Sequence, residues 1–200
     1  MVVFTIAKER EDTVNVHRVR MDIADEEIQY AKEYLGPART KVNRDAKRKA
    51  ITWLPSGDAD FLGALGEIVV RRWLGISEQD WKEKYKTQLI QDTEWDTGRH
   101  RGDFGKIEVK TTPLGHGRLL VQPHNDISKI YVLVLLHEWK NNVAYLAGWN
   151  YGHLIKVPER WMTDMPRPVF GMLQKDLEPM SKLKELIGTQ KDLILLEDVL

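Results

Sequence analysis

The sequence predicts an α/β domain: a mixed central sheet of about four to five strands, flanked by helices and preceded by an N-terminal extension. Three observations carry this. Residues 58–74 form a long helical pattern, residues 107–149 a run of strand patterns, and within that run Ile130 to Leu136 is apolar at every position. A strand with no polar face is covered on both sides, as at the centre of a layered sheet. Helices followed by a run of strands fit a sheet with helices packed on it.

The elements follow in order. Residues 2–7 and 14–21 read as short strands of the extension. A helix is expected from Asp25 to Leu35, with Asp25, Glu26 and Glu27 suiting its N-terminus and Gly36-Pro37 stopping it. Residues 39–49 hold Arg39, Lys41, Arg44, Lys47, Arg48 and Lys49 against the single acid Asp45 and should become helical before Pro55. Ser56-Gly57-Asp58 opens the clearest helix. Leu62, Leu65, Val69 and Trp73 share one face, and Phe61, Ile68, Val70 and Leu74 widen it, so the helix should be largely buried. A short helix is expected from Ser77 to Lys86.

Strands are then expected at 107–111, 118–122 and 129–136. A turn at Asn141-Asn142 leads to a return strand at 143–149. Val169 to Leu173 reads as an edge strand after a stretch punctuated by Pro158, Pro166 and Pro168. A last helix covers 178–187 and a short amphipathic tail begins at Lys191. No hinge-like linker interrupts the chain, so one domain is expected over 1–200: strands and helices over 1–55, a core over 56–180, and a helical tail over 181–200.

Composition narrows the chemistry. The 200 residues include no cysteine, which removes disulfides, cysteine–zinc sites and thiol catalysis. Basic and acidic residues both number 30, so only local clustering can speak for a nucleic-acid partner. The apolar start, Met1 to Ala7, lacks the basic flank of a signal peptide, and the longest apolar run is too short for a bilayer. A soluble, cytoplasmic protein with no membrane partner is expected. There is no P-loop, no G-x-G-x-x-G, no H-E-x-x-H and no serine nucleophile elbow.

The informative segment is Arg101-Gly102-Asp103-Phe104-Gly105-Lys106-Ile107-Glu108-Val109-Lys110-Thr111-Thr112. With Gly105-Lys106 as a two-residue loop, the glycine suits the first position of a type II′ turn. Phe104 then pairs with Ile107, and Asp103 lies opposite Glu108 with Cβ atoms about 5 Å apart. Strand alternation puts Lys110 on the same face and turns Ile107 and Val109 into the core. Two facing carboxylates repel unless a cation sits between them. Mg²⁺ (or Mn²⁺) suits such an all-oxygen site. Metal, activated water and a neighbouring ammonium together make the set that phosphodiester hydrolysis needs.

These residues resemble the PD-(D/E)XK nuclease superfamily. Glu108-Val109-Lys110 matches its (D/E)-X-K half and Asp103 the acid before it. Glu67, in Gly63-Ala64-Leu65-Gly66-Glu67, matches the glutamate that the superfamily often adds from its first core helix. Gly117-Arg118-Leu119, Asp126 and Gly148-Trp149 extend the likeness, over roughly residues 60–180, to small nuclease-like proteins carried by phages and prophages. The resemblance implies a restriction-endonuclease-like core and a Mg²⁺-dependent nuclease acting on nucleic acid, DNA first. It implies Asp103, Glu108, Glu67 and the Val109 carbonyl as metal ligands, and Lys110 as the group that orients the water or stabilises developing charge. A homodimer is the assembly that would cut both strands.

Two departures stand beside it. Gly102, not proline, precedes Asp103, and the five positions from Asp103 to Glu108 are few for the superfamily. Asp96, twelve positions before Glu108, is the substitute. Arg44, Lys47, Arg48, His100, Arg101 and Gln122 are further candidates for touching nucleic acid. Each has a plainer reading: a solvated helix face for the first three, loop or strand-end groups for the rest. For Glu108 and Lys110 the plainer reading is a charged strand face, and for Glu67 a helix-surface charge paired with Arg71. The tryptophans read as packing residues. The rival function is a catalytically inactive binding protein on the same scaffold, taking nucleic acid or a host or phage protein.

Overall fold

The computed structural model describes residues 17–38, 56–79, 104–165 and 167–189. The strand expected over 2–7, the basic stretch 39–49, most of the helix expected from Ser77, the tail from Lys191, and Trp53, Trp81 and Trp95 lie outside these residues.

Four strands make a mixed sheet. They are β1 (Val19–Asp22), β2 (Ile107–Thr112), β4 (Ile130–Leu135) and β5 (Val143–Tyr151), in the order β1-β5-β4-β2. β2 runs parallel to β4, and β5 is antiparallel to both β4 and β1. β4 is buried at all six positions, as its unbroken apolar run predicts. Asn142, at φ 59°, makes the turn into β5.

The sequence does not foretell a second sheet. Leu119–Val121 (β3) leaves the mixed sheet and joins Trp161–Met162 (β6) and Val169–Met172 (β7) in an antiparallel sheet of order β3-β7-β6. β7 is therefore a middle strand, not the edge strand expected. Its Gly171 leaves room for the Met162 side chain of β6, since a Cβ there would lie 2.2 Å from Met162 Sδ. Strand patterning gives the inward positions of β3 but not which sheet they face.

The core is layered accordingly. Ile130, Val132 and Val134 of β4, with Ile107 and Val109 of β2, meet the helices on one face. Tyr131, Leu133 and Leu135 meet Leu119, Val121 and Met172 on the other. The long helix α2 (Ser56–Leu74) lies in the first layer and is buried without a break from Ala64 to Arg71. Leu183 and Met180 of the last helix, α4 (Met180–Thr189), close that layer; a one-turn α3 (Gly152–Ile155) follows β5.

One expected boundary moves. α1 (Asp25–Tyr30) passes into a π-helical turn, Ala31–Leu35, and residues 36–38 remain helical. Gly36 donates its N–H to the Ala31 carbonyl, five residues back. Gly36 is a packing glycine here: a Cβ would lie 3.2 Å from Phe61 Cα of α2. The widened turn lets the chain continue through Pro37, which has no N–H to give. Among the described residues no helix is long and apolar enough to cross a membrane.

Candidate active site

The tight turn before β2 has the expected form. Phe104 N–H donates to the Ile107 carbonyl at 3.0 Å, and Ile107 N–H returns to Phe104 at 2.9 Å. Gly105 has φ 60°, and Lys106 is not among the positive-φ residues. Positive φ at the first loop position alone is the type II′ requirement. The strand partner that would carry Asp103 lies outside the described residues, as do Asp96, Arg44, Lys47, Arg48, His100 and Arg101.

β2 divides its side chains by parity. Ile107 and Val109, the latter 9% exposed, enter the helical core. Glu108 and Lys110 take the other face, in register with Tyr131 and Leu133 of β4. Lys110 Nζ donates to Glu108 Oε1 at 2.9 Å. The second oxygen, Oε2, accepts from Lys129 Nζ at 3.3 Å. Lys110 also stands over the Tyr131 ring, 5.7 Å from its centroid. The Tyr131 hydroxyl donates to the Asp126 carbonyl at 2.6 Å and so ties β4 to the loop before it.

Sequence reading missed Lys129. It precedes the apolar run of β4 and has the parity of Tyr131, so it faces the same side as Glu108 once β2 and β4 lie parallel. The parity was available in the sequence; the parallel pairing that makes it matter was not.

Charge and burial act on Glu108 in opposition. Burial raises its pKa, but the Lys110 and Lys129 ammoniums beside it outweigh that and hold the carboxyl below its ordinary value. It is a carboxylate at neutral pH. Tyr131 shifts upward, by burial first and then by the negative charges of Glu108 and Asp126, so it stays a neutral phenol. Asp126 is lowered by the Ser128 backbone N–H and then by the Ser128 hydroxyl, each 2.8 Å from Oδ1.

Glu67 is 4% exposed on α2. It adjoins Gly66, the point where the helix presses on Thr111 of β2, one residue beyond Lys110. Arg71 reaches Glu27 of α1 at 3.5 Å. Gln122 follows β3, and its backbone N–H donates to Asn125 Oδ1 at 2.9 Å. The structure thus brings Glu108, Lys110 and Lys129 into contact and sets Glu67 on the helix that packs against the other face of β2, the face of Ile107, Val109 and Thr111. Among the described residues, no group of three or more His, Asp and Glu side chains gathers at a single point.

An ionised, partly exposed carboxylate offers the hard oxygen donor that Mg²⁺ takes, and ammonium groups offer donors to phosphate oxygens. Comparison with family models, with curated proteins and with solved structures gives no match to this chain.

Proposed function

We propose that this protein is a metal-dependent nuclease, hydrolysing nucleic-acid phosphodiester bonds, with DNA as the first substrate to consider. The observation that carries the reading is the pairing of Glu108 with Lys110 on one face of β2, directly after a two-residue hairpin. That turn is the feature that would return the chain to place Asp103 across from Glu108. A restriction-endonuclease-like core is the matching proposal for the fold. The mixed sheet, its parallel β2/β4 pair and the buried helix α2 support it.

In this reading Glu108, Asp103 and the Val109 carbonyl hold Mg²⁺ or Mn²⁺, and Glu67, on the helix covering the other face of β2, would have to reach round that edge strand to support them. Support for the ion comes from Glu108, which is ionised and offers the oxygen donor that Mg²⁺ prefers. Bound there, the metal would supply Lewis acidity and an acidified water. Lys110 would steer the water or meet charge that develops on the phosphate.

A second reading is favoured by one observation: among the described residues two ammoniums, Lys110 and Lys129, share the Glu108 carboxylate, as in a site that binds phosphate without cutting. Metal dependence separates the two. Labelled linear, circular and single-stranded DNA is incubated with Mg²⁺, Mn²⁺ or EDTA, using wild type, Glu108→Ala and Lys110→Ala. Cutting that needs the ion, and that falls about a hundredfold or more in both variants, is expected. Folded wild-type protein that cuts none of the substrates would leave the binding role.

A further inference from the structure

We propose that Lys129 is a second phosphate-binding cation of this site, acting with Lys110 on the backbone of a nucleic-acid strand. The inference rests on the nucleic-acid reading above and adds a residue that the motif does not contain.

The position is built rather than incidental. Lys129 lies at the mouth of β4, and its carbonyl accepts the Gly152 N–H at 2.8 Å. Gly152 is itself hemmed in: a Cβ there would stand 2.9 Å from the Asp126 carbonyl oxygen, Ile127 Cα and the Ile127 carbonyl oxygen. The loop 126–129 is thereby pressed on the end of β5. Tyr131, through its bond to the Asp126 carbonyl, anchors the same loop. The backbone that carries Lys129 is thereby fixed beside β2.

Among the described residues, two ammoniums converge on the Glu108 carboxylate, and Asp126 is a further acid near Lys129. The Lys129 side chain is 7% exposed, against 26% for Lys110 and 19% for Glu108. An ammonium carries three N–H donors. Among the described residues, that of Lys129 has one hydrogen-bond partner, Glu108 Oε2 at 3.3 Å. The same carboxylate already accepts the shorter bond from Lys110. The hydrogen bonding of a buried ammonium that shares one carboxylate with a second ammonium is incomplete, and a buried charge is costly unless paired and hydrogen-bonded. An anionic oxygen entering between the two lysines would complete both donors. A phosphate oxygen is the anion that the proposed substrate brings.

The test avoids metal so that binding is read without cleavage. A fluorescein-labelled oligonucleotide, single-stranded and duplex, is titrated by anisotropy in EDTA over a range of salt. Lys129→Met should weaken binding by about tenfold whatever the sequence, and lower the slope of log K against log salt by about one. Circular dichroism checks that the variant is folded. Glu108→Gln is the companion variant. It removes the competing carboxylate, and binding in EDTA should tighten. Wild type that does not bind, or Lys129→Met that binds with unchanged affinity and slope, overturns the proposal. So does Glu108→Gln that fails to bind more tightly, and this arm decides if Lys129→Met does not fold. Cleavage with Mg²⁺, run in parallel, separates the two ideas. Binding that depends on Lys129 without cutting leaves this inference standing and the nuclease reading fallen; cutting that is indifferent to Lys129 does the reverse.

Discussion

Gly66 of α2 meets Thr111 of β2 so closely that a Cβ on the glycine would lie 2.2 Å from the threonine Oγ1. This contact sets how near the helix bearing Glu67 comes to the strand bearing Glu108 and Lys110. Gly66→Ala gains helix propensity of about 1 kcal/mol. It also forces a methyl into a filled space, at about 1–3 kcal/mol. With Thr111 Cβ and Cγ2 each 3.3 Å from that Cβ position, rotating Oγ1 away does not clear it. The steric effect should win, and Gly66→Ala should be destabilised by up to about 2 kcal/mol in urea unfolding. In a Thr111→Ala background the obstruction is gone, and Gly66→Ala should turn neutral or stabilising. A cycle in which the two changes simply add would show that the helix and strand do not meet there.

Gly105 makes a second prediction. Its φ of 60° is the backbone that an L side chain resists, and in a type II′ turn the resistance is larger than in an ordinary left-handed residue. Gly105→Ala should cost about 1–3 kcal/mol of stability. If the turn also aligns the two proposed acids, DNA cleavage should fall by more than the loss of folded protein accounts for. Gly75 is the control: it has φ 75°, with nothing within 4 Å of its would-be Cβ. Gly75→Ala should therefore lower the melting temperature without a specific loss of cutting. Equal effects of the two substitutions on cleavage would detach the turn from the site.

These contacts show where sequence reading succeeds and where it stops. The type II′ turn, the face shared by Glu108 and Lys110, the buried α2 and the covered β4 all follow from local rules, namely turn chemistry and side-chain period. Lys129 illustrates the limit. Its link to Glu108 spans 21 positions and exists only because β2 and β4 pair in parallel, in one particular register. The second sheet is the same kind of omission, since Leu119 and Val121 advertise burial without saying against what. Gly36-Pro37 errs the other way: local signals for a helix end are overridden by tertiary packing on Phe61 and by a π turn. Asp103, the second acid of the metal reading, lies beyond the described residues.

The last prediction concerns acid. Burial raises the Glu108 pKa, the two lysines lower it further, and the folded-state value is depressed below the ordinary one. In the unfolded chain the group titrates at about 4.3. A depressed folded value means the contribution to stability is full above the unfolded pKa and is lost as pH falls toward and through the folded one. Wild type should therefore lose melting temperature steeply as pH drops below about 5. Glu108→Gln cannot titrate there. It should melt lower than wild type at neutral pH, where Lys110 and Lys129 would lose the carboxylate they share, and its acid limb should be shallower. Asp126, also depressed by its bonds from Ser128, contributes to the acid limb of both proteins and cancels in the difference. The measurement is the melting temperature from pH 2.5 to 7 in EDTA. Parallel curves for the two proteins would mean that Glu108 is not held by its lysines in solution, which would remove the electrostatic ground for both proposals.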